Sequence, residues 1–257
     1  DLPSLFRDVA NLWDITAQIN LLRELGCVFD RPAAGGLMIN VPAAKNSHAR
    51  YDLVRKMRAS VCVLGPLLAK RKFARVSMPG GCAIGDRPVD IHLRGLEALG
   101  AVIDLDGGDI IARADKLVGA EIFLGGNFGS TVLGTANVMS AATLAKGTTV
   151  IECAACEPEV VDLADYLNAM GAKISGAGTP RIIIEGVAAL HGASHTVIPD
   201  RIEAGTFMVA AAITNGELHI QNCRLDHLMA AVDKLRNIGA IVEKNSDGGG
   251  CTVASVR

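Results

Sequence analysis

Apolar and small residues recur along the chain in a pattern that repeats four times. Each copy is an apolar stripe at helical spacing that ends in Leu-x-x-(Leu/Met/Ile)-Gly and leads into a short β-rich run; the copies lie at residues 22–26, 96–100, 167–171 and 235–239. A glycine directly after an apolar stripe is typical of a helix C-cap, because glycine adopts the left-handed conformation at no steric cost. The spacing of the copies predicts structural repeats of about 70 residues.

Two further features complete each repeat. After the last three glycines, two β-branched runs flank a turn rich in Gly, Asp or Pro, which is typical of a β-hairpin. Ahead of the last two copies, a small-residue helix that includes Met139 or Met208 ends at Gly147 or Gly216 and is followed by another strand. We expect these small-residue helices to be buried, since they can approach a neighbouring backbone closely.

The pattern predicts an α/β protein built from compact βαβαββ repeats. We expect residues 1–198 to form one domain of about three repeats, the first of them incomplete. Residues 199–257 are then expected to form the first repeat of a second, truncated domain. A half-domain of this kind has an incomplete core, so we expect it to expose an apolar face and to associate.

Composition narrows the possible functions. The longest apolar run, residues 207–213, is far shorter than the roughly 20 residues that a membrane-spanning helix needs. The net charge of −2 and the aromatic content of 4% argue against a nucleic-acid-binding surface. Seven cysteines, an odd number, favour free thiols in a reducing compartment, and no basic-then-apolar leader is visible, so we expect a cytoplasmic protein.

The most informative stretch is residues 78–92. Three of its glycines predict a mobile loop around Cys82, and Asp86 followed by Pro88 is typical of a helix start. A helix N-terminus and the neighbouring Arg87 both favour a thiolate, so the pKa of Cys82 is expected to be lowered. A mobile loop that carries a reactive group favours a lid over a substrate. The alternative is that Cys82 is a small packed residue.

Eight basic residues lie between positions 50 and 75, with Asp52 as the only acid. Arg58 stands out, because its small and apolar neighbours imply partial burial, and a buried arginine requires an anion. Phosphate or carboxylate would fit such a site. The alternative is a solvated helix face, which is the usual explanation of a basic run.

Other candidates are weaker. Cys153 and Cys156 have the spacing of a metal site, but there is no second pair and no close histidine, so we expect no metal and no cofactor. The glycine turn that precedes Ser130 is either a phosphate-binding turn at a helix N-terminus or an ordinary turn. Residues 157–159, Glu-Pro-Glu, predict the acidic opening of a helix.

Residues 79–92, Pro-Gly-Gly-Cys-Ala-Ile-Gly-Asp-Arg-Pro-Val-Asp-Ile-His, resemble the cysteine loop of the UDP-N-acetylglucosamine 1-carboxyvinyltransferase family. These enolpyruvyl transferases perform the first committed step of bacterial peptidoglycan synthesis. Residues 51–60, 157–162 and 199–206 support the resemblance, which runs along nearly the whole chain. The related shikimate-pathway enolpyruvyl transferase shares the repeat plan but not this cysteine loop.

The resemblance implies two domains, each an inside-out α/β barrel of three βαβαββ repeats. It implies transfer of enolpyruvyl from phosphoenolpyruvate to the 3-hydroxyl of UDP-N-acetylglucosamine, with release of phosphate and without a metal. It also implies a cytoplasmic enzyme of cell wall biogenesis, linked to cell shape, cell cycle and cell division, and a target of fosfomycin. No nucleic acid or membrane partner is implied.

The resemblance also assigns roles to residues. Cys82 resembles the cysteine that protonates the phosphoenolpyruvate methylene, can form a covalent adduct and is alkylated by fosfomycin. Arg58 and Arg87 resemble arginines that hold the anionic groups of the two substrates. The remaining implied contacts are Arg87, Pro88, Val89, Asp90 and Ile91 for uridine, and Ser130, Thr131 and Val132 for the diphosphate, where many members carry Ser-Val-Gly after a lysine.

The chain departs from the family mainly in length. Family members begin with a strand and a Lys-Asn pair that binds phosphoenolpyruvate, whereas residues 45–46, Lys-Asn, come after the first predicted hairpin. Members also continue through a second domain with a catalytic aspartate. We therefore favour an enolpyruvyl transferase for the parent protein and a catalytically incomplete UDP-sugar-binding fragment for this chain alone. A cysteine hydrolase using His92 is a third hypothesis, which no recognised motif supports.

Overall fold

The computed structural model describes residues 3–33, 35–42, 46–79, 89–127, 129–246 and 249–255. The chain divides into two compact parts, unit 1 (Asp1–Val197) and unit 2 (Ile198–Arg257). Three of the predicted site residues, Cys82, Arg87 and Pro88, lie outside the described residues. Among the residues that are described, no helix combines the length and the apolar composition needed to cross a bilayer.

Unit 1 alternates short strands and helices. Its strands are β1 (Ser4–Arg7), β2 (Val28–Asp30), β3 (Leu37–Asn40), β4 (His48–Ala49), β5 (Phe73–Ser77), β6 (Val102–Asp106), β7 (Asp109–Arg113), β8 (Glu121–Phe123), β9 (Thr148–Glu152), β10 (Lys173–Ser175), β11 (Arg181–Glu185) and β12 (Ser194–Thr196). Its α-helices are α1 (Trp13–Glu24), α2 (Tyr51–Val54), α3 (Leu64–Arg71), α4 (Asp90–Ala98), α5 (Val132–Ala142) and α6 (Pro158–Ala169), and a 3-10 helix spans Arg58–Val63.

The described residues of unit 1 form three four-stranded sheets of identical topology. Their strand orders are β12-β1-β3-β2, β4-β5-β7-β6 and β8-β9-β11-β10. In each sheet the first two strands are parallel and the other neighbours are antiparallel. The first sheet takes its first strand from the far end of the unit, where Leu5 pairs with Ser194. The predicted α/β class and βαβαββ repeat are confirmed.

The four predicted cap glycines all adopt positive φ. Gly26, Gly100, Gly171 and Gly239 have φ between 94° and 98°, each directly after a helix. A residue with a Cβ is strained in this left-handed conformation, which explains why each apolar stripe ends in glycine. The prediction of C-caps from the recurring motif is confirmed.

Helix α5 lies at the centre of unit 1 and is almost wholly apolar or small. It packs against α3, α4 and α6. Two glycines allow the close approach: a Cβ at Gly65 of α3 would overlap the backbone oxygen of Asn137, and one at Gly95 of α4 would overlap Val138. The predicted burial of this small-residue helix is confirmed, since most of its side chains, including Met139, are fully buried.

Unit 2 contains α7 (Arg201–Ile213), β13 (Glu217–Gln221), a short 3-10 turn (Leu225–His227), α8 (Met229–Asn237), β14 (Ala240–Lys244) and β15 (Gly250–Ser255). In the described part of unit 2, the strands form an antiparallel sheet of order β13-β15-β14. Asp200 caps α7, because its carboxylate accepts from the backbone N–H groups of Ile202 and Glu203. The core is small and includes Met208, Val232 and Val253.

The predicted burial of the second small-residue helix is wrong. In α7 only Ala204, Met208 and Ala211 are buried, while Val209 and Ile213 are exposed. The physical reason is the packing: α5 lies against α3, α4 and α6, whereas among the described residues of unit 2 α7 packs mainly on the sheet and α8.

Candidate active site

The predicted site residues with described positions lie at the starts of three helices in unit 1. Arg58 is half-buried and begins the 3-10 helix. Val89 is buried and Ile91 half-buried around the start of α4, where Asp90 is exposed. Thr131 is the N-cap of α5, and its Oγ1 accepts a hydrogen bond of 3.2 Å from the Gly134 N–H.

The structure describes helix α4 from Asp90, with Val89 as the preceding residue and no side-chain capping bond. Asp86, the N-cap that the sequence predicts, lies outside the described residues. Packing sets this start, because Val89, His92 and Leu96 are buried at helical spacing against the core.

Asn137 of α5 joins the elements that carry Arg58 and Asp90. It is completely buried. Its Oδ1 accepts from the Gly65 N–H at 2.6 Å, and its Nδ2 donates to the Val61 carbonyl at 3.0 Å. The same Nδ2 lies 3.2 Å from Nδ1 of His92. One amide therefore connects the 3-10 helix and the starts of α3 and α4 to the middle of α5.

Two buried groups near Arg58, the His92 imidazole and the Cys62 thiol, are neutral near pH 7. Burial and, to a lesser extent, the charge of Arg58 lower the pKa of His92 to about 4, against the opposing charge of Asp90. Burial raises the pKa of Cys62 to about 12, against the opposing effect of Arg58. Near pH 7, Arg58 thus lies near an uncharged imidazole and an uncharged thiol.

The glycine turn before α5 lies against the start of α4. Gly126 and Gly129 exchange two backbone hydrogen bonds, of 2.8 and 3.1 Å. A Cβ at Gly126 would lie 2.6 Å from Cδ1 of Ile91, so glycine permits this contact. Arg94 of α4 donates to the carbonyls of Gly125 and Phe123, at 2.7 and 3.1 Å. These contacts hold the first turn of α4 beside the segment that leads into α5.

Much of the predicted basic concentration has a structural role. Arg50 forms an ion pair with Glu24, and Arg75 donates to Asp109 at 2.5 Å. Arg71 donates to backbone carbonyls, including that of Leu25 at 3.0 Å. These three arginines therefore make structural contacts, and the charge of Arg58 acts on the buried Cys62 and His92.

Sequence reasoning missed Asn137 and gave Glu157 only a structural role. Asn137 carries no motif, and the available signal is a lone amide on the buried face of a small-residue helix. Glu157 was assigned only as the opening of α6, which is confirmed, with Pro158 in the first turn. One of its oxygens, Oε2, is buried with no hydrogen-bond partner among the described residues. Within the described ranges, no three His, Cys, Asp or Glu side chains form a group that could hold a metal ion.

Comparison with known proteins gives a consistent result. The sequence profile of the EPSP synthase (3-phosphoshikimate 1-carboxyvinyltransferase) family matches residues 3–252. The UDP-N-acetylglucosamine 1-carboxyvinyltransferase of Methylacidiphilum infernorum is 53% identical over 240 residues, which cover 93% of this chain and 56% of the relative. The enzyme of the same name from Akkermansia muciniphila is 48% identical over 256 residues, covering 98% of this chain and 59% of the relative.

Solved structures agree on the fold. The enolpyruvyl transferase NikO from Streptomyces tendae matches 99% of this chain and 60% of its own, with a TM-score of 0.83 and 20% identity. EPSP synthase from Acinetobacter baumannii matches 98% of this chain and 59% of its own, with a TM-score of 0.67 and 21% identity. At these identities the likeness shows the fold alone.

The chain spans less than 60% of the length of the curated relatives described above. The resemblance seen in the cysteine-loop motif is confirmed by relatives of that name, which match at about half identity over nearly the whole chain. Because the family profile covers almost every residue, this chain belongs to the EPSP synthase (3-phosphoshikimate 1-carboxyvinyltransferase) family.

Proposed function

We propose that this chain is part of an enzyme that transfers enolpyruvyl from phosphoenolpyruvate to the 3-hydroxyl of UDP-N-acetylglucosamine, with release of phosphate. Relatives named for this activity match at 48–53% identity. The observation that carries the proposal is the half-buried Arg58 beside the buried, neutral His92, at the point where the 3-10 helix meets α4 and α5. Both substrates are polyanions, and arginine is the residue best suited to hold phosphate or carboxylate.

We assign the chemistry as follows. Cys82 is the general acid that protonates the methylene of phosphoenolpyruvate, and Arg58 and Arg87 hold anionic groups. The segment 87–91 contacts uridine, and residues 130–132 contact the diphosphate. Thr131 supports this assignment, since its Oγ1 accepts the Gly134 N–H at the start of α5 and its hydroxyl group can also donate to a phosphate oxygen.

The isolated chain is proposed to bind UDP-N-acetylglucosamine without turning it over. It covers less than 60% of its curated relatives, and the rest of a second domain is expected in the parent protein. The cytoplasmic location, the part in cell wall biogenesis, cell shape, cell cycle and division, and the sensitivity to fosfomycin belong to the same proposal.

Calorimetric titration with UDP-N-acetylglucosamine tests the binding role. Loss of a charge-assisted contact in Arg58→Ala is expected to weaken binding about 10- to 100-fold. The matched control is Arg55→Ala, because Arg55 is exposed and lies 5.7 Å from the ring of Tyr51. Equal losses in both variants, or no binding by the unaltered chain, would contradict the proposal.

Thiol labelling tests the role of Cys82. Fosfomycin or iodoacetamide is expected to label Cys82 ahead of the other six cysteines, and UDP-N-acetylglucosamine is expected to enhance the labelling, as read by peptide mass spectrometry. Uniform labelling of all seven thiols would count against the assignment. A separate phosphate-release assay distinguishes an active enzyme from a fragment that only binds the nucleotide sugar. Release of phosphate by this chain alone would show that the chain is catalytically active.

A further inference from the structure

The orientation of the Asn137 side chain follows from two backbone groups. The Gly65 N–H can only donate, so the amide atom 2.6 Å from it is the oxygen. The Val61 carbonyl can only accept, so the amide atom 3.0 Å from it is the nitrogen. A flipped amide would face a donor with its NH₂ and an acceptor with its oxygen, both in a completely buried position.

Close packing holds this arrangement in place. A Cβ at Gly65 would lie 2.6 Å from Oδ1 of Asn137 and would overlap the Asn137 backbone, so glycine allows the N–H to reach the amide oxygen. Helix α3 and helix α5 therefore meet at the hydrogen bond itself.

The orientation of Asn137 determines where His92 carries its proton. The Asn137 NH₂ lies 3.2 Å from Nδ1 of His92, and since an NH₂ group can only donate, Nδ1 accepts. A neutral imidazole that accepts at Nδ1 carries its hydrogen at Nε2. Burial and Arg58 lower the pKa of His92 to about 4, while Asp90 opposes them, so the ring is neutral near pH 7.

We propose that Asn137 is a positioning residue that fixes His92 as the Nε2–H tautomer and so makes it a neutral hydrogen-bond donor beside Arg58. This rests on the proposed function in one respect: the acceptor it serves is an anionic oxygen of the nucleotide-sugar substrate. A neutral donor adds a hydrogen bond to the anion without adding a second buried positive charge next to the arginine.

The tautomer is measured directly by long-range ¹H–¹⁵N correlation NMR on the full 257-residue chain labelled with [¹⁵N]histidine, with the His92→Gln variant to assign the signal. We expect the Nε2–H pattern for His92 between pH 6 and pH 8. An Nδ1–H pattern or an imidazolium in the unaltered chain would overturn the proposal without any variant having to fold.

The variant Asn137→Asp replaces the group that donates to Nδ1 of His92 with one that accepts. Its carboxylate still accepts the Gly65 N–H, but it loses the bond to the Val61 carbonyl and can only accept from His92, so we expect the Nδ1–H tautomer or the imidazolium. The matched control is Asn168→Asp, in which an asparagine bridging the N–H and carbonyl of Ile174 is changed away from the site. An unchanged His92 signal in a folded Asn137→Asp variant contradicts the proposal.

Titration with UDP-N-acetylglucosamine completes the test. We expect the Nε2 signal of His92 to shift on binding, and Asn137→Asp to bind about 10-fold more weakly than either the unaltered chain or Asn168→Asp. Equal affinity in all three would refute the positioning role even though the nucleotide sugar binds. No binding by the unaltered chain would instead refute the proposed function. The tautomer of His92 is tested separately, by the NMR spectrum of the chain without ligand.

Discussion

At the scale of single residues, the glycines and one buried amide carry most of the specific information. The four cap glycines follow from the sequence, because a positive φ after an apolar stripe has a recognisable pattern. The roles of Gly65 and Asn137 do not follow from the sequence. They arise where α3 crosses α5, and because these two helices are far apart in the sequence, no local pattern indicates the crossing.

The variant Gly65→Ala tests this crossing. The added methyl group would overlap the backbone of Asn137, which cannot move aside as a flexible side chain would, so we expect a loss of about 1–3 kcal/mol in the free energy of unfolding. Urea denaturation followed by circular dichroism measures it. In the control variant, Gly205→Ala, the substituted residue lies within helix α7 and its Cβ makes an ordinary van der Waals contact with Leu228. No loss in the free energy of unfolding is therefore expected. Equal stability of the two variants would show that α3 and α5 can separate.

At the scale of elements, strands β5 and β7 are joined by a nearly buried ionic group. Asp109 is 7% exposed and accepts from Ser77 at 2.6 Å and from Arg75 at 2.5 Å, with His48 3.6 Å away. Burial raises the pKa of Asp109, but these hydrogen bonds and the charges of Arg75 and His48 outweigh it and hold the pKa below its usual value. The sequence predicted the hairpin but not this group, since its members come from three strands.

A lowered pKa in the folded state stabilises the protein above the pKa of the unfolded chain, and this contribution is lost as the pH falls through the folded value. We therefore expect Asp109→Asn to lower stability at pH 7 by about 1–3 kcal/mol, and the difference from the unaltered chain to shrink below about pH 4. Thermal denaturation at several pH values measures this. Asp104→Asn is the control, because Asp104 forms an exposed pair with Arg113. A difference that does not change with pH would contradict the assignment.

At the scale of the whole molecule, the two units differ in how well they cover their small-residue helices. Unit 1 buries α5 beneath three helices, whereas unit 2 leaves much of α7 exposed. The repeat was predictable from the sequence in both units. The exposed apolar face of unit 2 was predicted from the number of repeats, which indicates a half-domain with an incomplete core. The sequence of α7 alone does not predict it, because the apolar pattern of a helix does not reveal how many neighbours cover the helix.

The exposed face of α7 predicts self-association of this chain. Ile213 is 79% exposed and lies on the same side of the helix as Val209 and Ile202. Sedimentation velocity is expected to show mass rising with concentration, and Ile213→Glu to reduce it. In the control, Leu105→Glu, a similarly exposed apolar residue of unit 1 is changed, and the association is expected to remain. A monomer at every concentration would contradict this expectation.

The pairing of β12 with β1 determines the order in which unit 1 can fold. Ser4 accepts from the Ala193 N–H across 189 positions of sequence, and Tyr166 also donates to it. On the ribosome, β1 emerges early but has no parallel neighbour until residues 194–196 follow, so the first sheet is expected to be completed last. Contacts between residues so far apart in the sequence slow folding. During synthesis, the edge of β1 therefore waits longer for its parallel partner than β4 or β8, the other described strands of unit 1 that pair in parallel with a later strand.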